Sequence, residues 1–263
     1  MPVEAPCCRQ RTEDLLPAHW LIETLTEVDS TNSELMRRAR RGETASTLLI
    51  AEQQTAGRGR LGRPWHSQRG QALMFSLGLE FNPMHWSGLS LAVGLSLLNS
   101  LDPHHQLGLG LKWPNDLWLG PVPQARKLGG ILIETALLHG AKSARYVVIG
   151  VGINLQAPPA QMLSMPAAAW CDLQPQATVA STLQSLLLPL VDALDRFTQT
   201  GFAPLRTAYA RRDLLAGQAI RLSNGVEGVA AGVDAQGVLQ IDTAQGRMAV
   251  SSDEVSVRLG PAA

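Results

Sequence analysis

The stretch QQTAGRGRLGRPWHSQRGQ, Gln53 to Gln71, decides how the chain is read, because it sets four glycines and four arginines into nineteen residues. Gly57, Gly59 and Gly62 spell G-x-G-x-x-G, the signature of a dinucleotide-binding turn, and the apolar run STLLIAE (46–52) before them reads as a strand. Such a turn leads straight into a helix whose N-terminus meets the pyrophosphate. Here the chain continues RPWHSQRGQ, with a proline, a glycine and no apolar stripe, and then enters ALMFSLGLE (72–80), a second strand. The dinucleotide reading is set aside, which leaves a loop joining two strands. Arg58, Arg60 and Arg63 crowd its glycines, and three guanidiniums within six residues repel one another unless a multivalent anion sits among them. Their forked N–H groups match phosphate and carboxylate. The glycines let such a loop fold over a ligand and shield a reactive intermediate from water.

With 263 residues the chain holds one large domain and a smaller one. Its 22 basic and 22 acidic residues cancel, which argues against a broad basic face for nucleic acid. Cys7, Cys8 and Cys171 suit neither a disulfide framework nor a zinc site, so a reducing, cytoplasmic location is expected. The N-terminal residues lack a signal-peptide core and no long apolar run follows, so no membrane association is expected. Lysine is scarce: only Lys112, Lys127 and Lys142 occur.

After a polar N-terminal tail, DSTNSELMRRARRG reads as a helix, with Thr31 and Glu34 at capping-box spacing and Leu35, Met36 and Ala39 on one face. WSGLSLAVGLSLLNSL (86–101) has the length and apolar content of a core helix. LGLGLKW, DLWLG, LGGILIETALL and RYVVIGVGINL then read as four strands. Strands following a long helix predict an α+β fold on a mixed sheet. Two closing helices are expected over 181–201, kinked at Pro189, and over 202–213. From Leu214 five short strands with turns SNG, DAQG and AQG predict a small all-β barrel. The expected domains are therefore 1–213 and 214–263.

LKWPNDLWLG carries Lys112, Asn115 and Asp116, and RKLGGILIE carries Lys127 at a strand entry. Taken singly, WPND is good turn chemistry and Lys127 a solvated strand end. Beside the arginine loop they supply compact cations for phosphate oxygens, and a carboxamide and carboxylate able to help hold a hydrated Mg²⁺. Asn154 in GVGIN adds a polar group at a strand end.

DSTNSE, QTAGRGRLGRPW, KWPND, RKLGGIL and VIGVGINL, in this order, resemble the catalytic domain of the biotin protein ligases over about residues 25 to 156. The closing β segment resembles that family's Src-homology-3-like barrel more loosely. The resemblance implies a class II aminoacyl-tRNA synthetase-like biotin/lipoate ligase fold and a two-step reaction. Biotin and ATP give biotinyl-5'-adenylate, and a lysine of a biotin carboxyl carrier protein, that of acetyl-CoA carboxylase or a related carboxylase, then takes the biotin. By motif, Ser30, Thr31, Asn32 and Gln54 would line the biotin pocket, and Gly57, Arg58, Gly59 and Arg60 would close over biotin. Lys127 would bind the biotin carboxylate and, with Arg60 and Lys112, carry catalysis. Arg58, Arg60, Arg63, Trp65, Lys112, Asn115 and Asn154 would serve the nucleotide, Trp65 as an apolar wall near adenine, and Asp116 the metal. Only 28 residues precede DSTN, which implies the monofunctional form without a DNA-binding domain, and a free sheet edge would allow a homodimer. Gly129 stands where Ala is as common in the family. Lipoate ligases share this chemistry, but the pair GRGRLGR and KWPND favours biotin. A DNA-binding biotin sensor, which the neutral charge argues against, and an inactive ligand-binding paralogue are the readings from outside enzymology.

Overall fold

The computed structural model describes residues 16–137, 145–159, 165–251 and 257–259; Cys7, Cys8 and Lys142 lie outside the described residues. STLLIAE and ALMFSLGLE form β2 (Thr47–Ala51) and β3 (Ala72–Phe81), and the two pair antiparallel. A dinucleotide unit needs parallel strands joined by a crossover helix, so this pairing disposes of the fingerprint independently. The four later runs form β4 (Leu109–Lys112), β5 (Asp116–Leu119), β6 (Arg126–Leu137) and β7 (Arg145–Asn154). Sequence reading missed β1 (Leu21–Leu25), which lies parallel to β2 inside the supposed polar tail. Leu21, Glu23 and Leu25 share one face and Ile22 and Thr24 the other, and none of the five is fully buried, as suits the edge of the sheet. The sheet order is β1-β2-β3-β7-β6-β5-β4, mixed because β1 lies parallel to β2 while β2–β3, β3–β7, β4–β5 and β5–β6 pair antiparallel.

The described chain falls into two compact units. One holds the described parts of Met1–Asn82, Leu132–Met162 and Ala169–Val191. Here helix α1 (Thr31–Arg40) lays Leu35, Met36 and Ala39 against Leu49, Tyr146 and Val148. Leu35, Leu49 and Val148 are fully buried, each contributing about 1.5–3 kcal/mol through apolar burial. The predicted cap is displaced by one residue: Ser30 is the N-cap and its Oγ accepts from Ser33 N at 3.4 Å. Thr31 is thereby freed for other partners.

The second unit holds the described parts of Pro83–Ile131, Leu163–Ala168 and Asp192–Ala263. Helix α2 (Leu89–Leu101) is buried over most of its surface, with Ser96, Asn99 and Ser100 as a narrow wetter stripe, and Gly94 is bare because a Cβ there would meet Leu111 at 2.7 Å. Helix α3 (Val179–Thr200), whose residues up to Val191 belong to the first unit, runs through Pro189. The second closing helix is much shorter than expected: a turn over Ala203–Leu205 leads into α4 (Arg206–Ala210), and the chain then leaves helix to pair with β4. Leu111 N donates to Arg212 O and Leu214 N to Leu111 O, so from the Arg212 carbonyl onward the chain pairs with a strand edge instead of continuing the helix. The Arg212 guanidinium meets Asp102 at 2.8 Å, both 2% exposed.

The five closing strands appear as expected: β8 (Ala219–Leu222), β9 (Glu227–Val233), β10 (Leu239–Thr243), β11 (Gly246–Val250) and β12 (Val257–Leu259). They form an antiparallel sheet in the order β11-β10-β9-β8-β12. The predicted barrel closure is not observed. Among the described residues no pairing joins β11 to β12, and β11 is exposed along four of its five residues, as a sheet edge is.

Candidate active site

The arginine loop is a narrow hairpin. Trp65 N donates to Gly57 O at 2.8 Å, Gly59 N to Arg63 O at 2.7 Å, and Arg58 bridges Pro64 between them. Its tip is a single 3-10 turn, Arg60–Gly62, with Leu61 at φ 55° and Gly62 at φ 70°. Gly57 admits no side chain, because a Cβ would lie 2.7 Å from the carbonyl of Trp65. The close approach of the two hairpin arms therefore requires glycine at this position.

In the same unit the first turn of α1 is polar yet buried: Ser30, Thr31 and Asn32 are 3–4% exposed. Such groups persist only when hydrogen-bonded, and each is. Thr31 N donates to Gln54 Oε1 at 2.8 Å, with Thr31 Oγ1 3.2 Å from the same oxygen, which leaves its hydroxyl proton for Ser76. The Ser76 hydroxyl lies 2.7 Å from both Thr31 Oγ1 and Asn32 Oδ1. Asn32 Nδ2 donates to Leu132 O at 3.2 Å and to Glu134 Oε2 at 3.0 Å, and Arg58 donates to the same carboxylate at 3.2 Å. A continuous relay thus runs from Gln54 through Thr31, Ser76, Asn32 and Glu134 to Arg58.

Ser76 and Glu134 were missed in the sequence. The signal was present in each case as a polar residue interrupting an apolar strand, ALMFSLGLE and LGGILIETALL. Trp65 is half-buried, with its indole against Gly152 and its Nε1 buried without a hydrogen-bond partner among the described residues. Asn154, 4% exposed, ends β7 opposite Ala72. At the hairpin, Arg63 is exposed and Arg60 half-buried.

In the other unit, Lys127 Nζ lies 2.6 Å from Asp116 Oδ1 across the β5–β6 pair. Gly130 stands opposite Asp116, and a Cβ there would sit 3.4 Å from both charged atoms, so the bare backbone leaves them room. Lys112 and Asn115 are engaged differently. Lys112 Nζ donates to Val257 O at 2.7 Å and lies 5.4 Å above the Trp118 ring, while Trp113 Nε1 donates to Gly237 O at 3.1 Å. Asn115 Nδ2 donates to Ile131 O at 2.8 Å, and its own carbonyl accepts from Ile131 N. The structure therefore brings together Asp116 and Lys127, while Lys112 contacts the closing sheet and Asn115 the backbone of β6. Among the described residues no group of three or more His, Cys, Asp or Glu side chains could hold a metal ion, and no helix is long and apolar enough to cross a membrane.

The profile of the Biotin/lipoate A/B protein ligase family matches residues 26–154. The biotin–[acetyl-CoA-carboxylase] ligase of Mycobacterium tuberculosis is 32% identical over 245 residues, covering 89% of this chain and 88% of that protein. The bifunctional ligase/repressor BirA of Escherichia coli is 36% identical over 231 residues, covering 84% of this chain and 69% of that protein. Among solved structures, the biotin protein ligase of Aquifex aeolicus in complex with biotin and ATP superposes with a TM-score of 0.75 at 27% identity, covering 91% of this chain and 99% of that one.

Proposed function

Because this chain belongs to the biotin/lipoate A/B protein ligase family, as an enzyme of the biotin ligase type, we propose that it joins biotin to one lysine of a biotin carboxyl carrier protein at the expense of ATP. The observation that carries this reading is the relay from Gln54 to Arg58, whose donors and acceptors, buried at Thr31, Asn32 and Ser76, suit a small polar ureido head in an otherwise apolar setting.

In the first step a biotin carboxylate oxygen attacks the α-phosphorus of ATP and pyrophosphate leaves. The ε-amine of the acceptor lysine then attacks the acyl carbon of the adenylate, loses a proton and expels AMP. Ser30, Thr31, Asn32 and Gln54 orient biotin. Arg58 and Arg60 on the hairpin, with Arg63, compensate phosphate charge and cover the adenylate against water. Trp65 walls the nucleotide, and Asn154 reads it. Lys127 holds the carboxylate and stabilises the charge that builds up on the α-phosphate.

Mg²⁺ binds through one or two carboxylates together with substrate phosphates. Asp116 fits that pattern as one carboxylate, and the metal would supply further charge neutralisation on the phosphates. Lys112 and Asn115 join the nucleotide side of this scheme. Residues 214–263 form the Src-homology-3-like module in this reading, with the domain boundary at 213/214, and a cytoplasmic location supplies both ATP and the acceptor.

The test is incubation with biotin, MgATP and a purified biotin carboxyl carrier domain, reading pyrophosphate release and acceptor mass together. Stoichiometric, ATP-dependent biotin on one acceptor lysine is expected. Equal use of lipoate, or no pyrophosphate release with biotin, would overturn the assignment.

A further inference from the structure

Alternate residues of a strand share one face, and along β7 that face reads Tyr146, Val148, Gly150, Gly152, Asn154. Its large members, Tyr146 and Val148, are covered by the apolar side of α1. Where the side chains shrink to nothing, two side chains of the proposed site lie on the bare strand. A Cβ on Gly150 would be 2.1 Å from Asn32 Oδ1, and a Cβ on Gly152 would be 2.7 Å from the Trp65 ring. The register agrees, since Gly150 pairs with Ser76 and Gly152 with Met74, whose Sδ accepts from Gln54 and Ser67.

Neither side chain can step aside cheaply. Asn32 is 3% exposed and engages Ser76, Leu132 and Glu134, and the indole is rigid on a hairpin arm fixed by the Trp65–Gly57 hydrogen bond.

Building on the proposed function, we infer that Gly150 and Gly152 are separate positioning residues: Gly150 sets Asn32 for biotin, and Gly152 sets the Trp65 wall for the nucleotide. The G-x-G of GVGIN is then a two-part floor, and the two substrates are disturbed independently from adjacent points of one strand.

Gly78 supplies an internal control, because a Cβ there would also collide, at 2.2 Å, but with the Tyr146 hydroxyl beside the α1 core. The experiment compares Gly150→Ala, Gly152→Ala and Gly78→Ala by initial rates with biotin and MgATP varied in turn, together with thermal melting. Gly150→Ala is expected to raise KM for biotin by about tenfold or more with KM for ATP within about twofold, and Gly152→Ala the reverse. Gly78→Ala is expected to lower Tm with both KM values within about twofold. Equal changes in both KM values for either site variant, or a kinetic split in Gly78→Ala, would overturn the inference.

If Gly150→Ala or Gly152→Ala does not fold, Gly150→Ala/Asn32→Ser and Gly152→Ala/Trp65→Val clear the contacts and must restore folding. Failure to do so also overturns it. Wild-type protein that releases no pyrophosphate with biotin refutes the proposed function instead, so the two failures are distinguishable.

Discussion

Lys127→Ala separates a reacting lysine from a merely structural one. The amine lies 2.6 Å from Asp116 Oδ1, with side-chain exposures of 24% and 12%. Truncation strands a largely buried carboxylate without its cation, which costs roughly 1–3 kcal/mol of stability. If Lys127 also stabilises charge developing on the α-phosphate, its loss lowers kcat by about 10²–10³, the size expected for removing one preorganised donor. The two effects part company in the double variant Lys127→Ala/Asp116→Asn. Neutralising the stranded carboxylate removes most of the stability penalty but returns nothing to the reaction. Biotin-dependent pyrophosphate release with MgATP, measured beside thermal denaturation, reads both. Recovery of Tm with the rate still at least a hundredfold below that of Asp116→Asn alone is expected, the single variant setting the rate without the proposed metal carboxylate. A double variant as fast as Asp116→Asn alone would refute the reasoning, because Lys127 would then serve only to pair with Asp116.

Arg212→Met leaves Asp102 buried without its guanidinium and is expected to cost about 3–5 kcal/mol, seen as a fall in Tm of about 6 °C or more. Burial alone would raise the Asp102 carboxyl, but hydrogen bonds from Arg212 and from the Gln106 and Leu107 N–H groups outweigh it and hold the group below its ordinary 3.8. Its contribution is present above that value and lost as pH falls through the lower folded one, so the wild-type advantage in Tm is expected to shrink in acid. Asp213 shows the opposite sign: burial pushes its carboxyl up and outweighs the hydrogen bonds from the Leu215 and Ala216 N–H groups. Its penalty is absent below 3.8 and grows as pH rises through the raised value. Asp213→Asn, which keeps the acceptor for Leu215 N, should therefore raise Tm near pH 8 and leave it unchanged near pH 3; a uniform shift would count against this account. Asn32→Ala breaks the buried relay and should raise KM for biotin by about tenfold or more with KM for ATP little altered, as initial rates would show.

Local signals made much of this protein legible from its residues. The antiparallel strands around the arginine loop, helices α1 and α2, strands β4–β7 and the five closing strands all announce themselves by periodicity and turn chemistry, which act over a few neighbours. Five short motifs in a fixed order carried the family. The N-terminal strand was hidden because five residues that mix apolar and polar on both faces carry no period-2 signal, and α4 was overestimated because the strand edge that pairs with 212–214 is distant in sequence.

The site divides the same way. Residue types at the motifs predicted anion and metal chemistry, but which charges meet was decided by register. A β-bulge between Leu117 and Trp118 shifts the β5–β6 register, and Lys127 reaches Asp116 while Lys112, four positions before Asp116, contacts Val257. Asn32 meets Glu134 across 102 residues of chain. By itself, then, the sequence determined the elements and the chemistry available, since both follow from side chains and their near neighbours. Tertiary structure alone decided the relay from Gln54 to Arg58 and the bare glycine floor beneath it, because these exist only when strands far apart in the chain share a face.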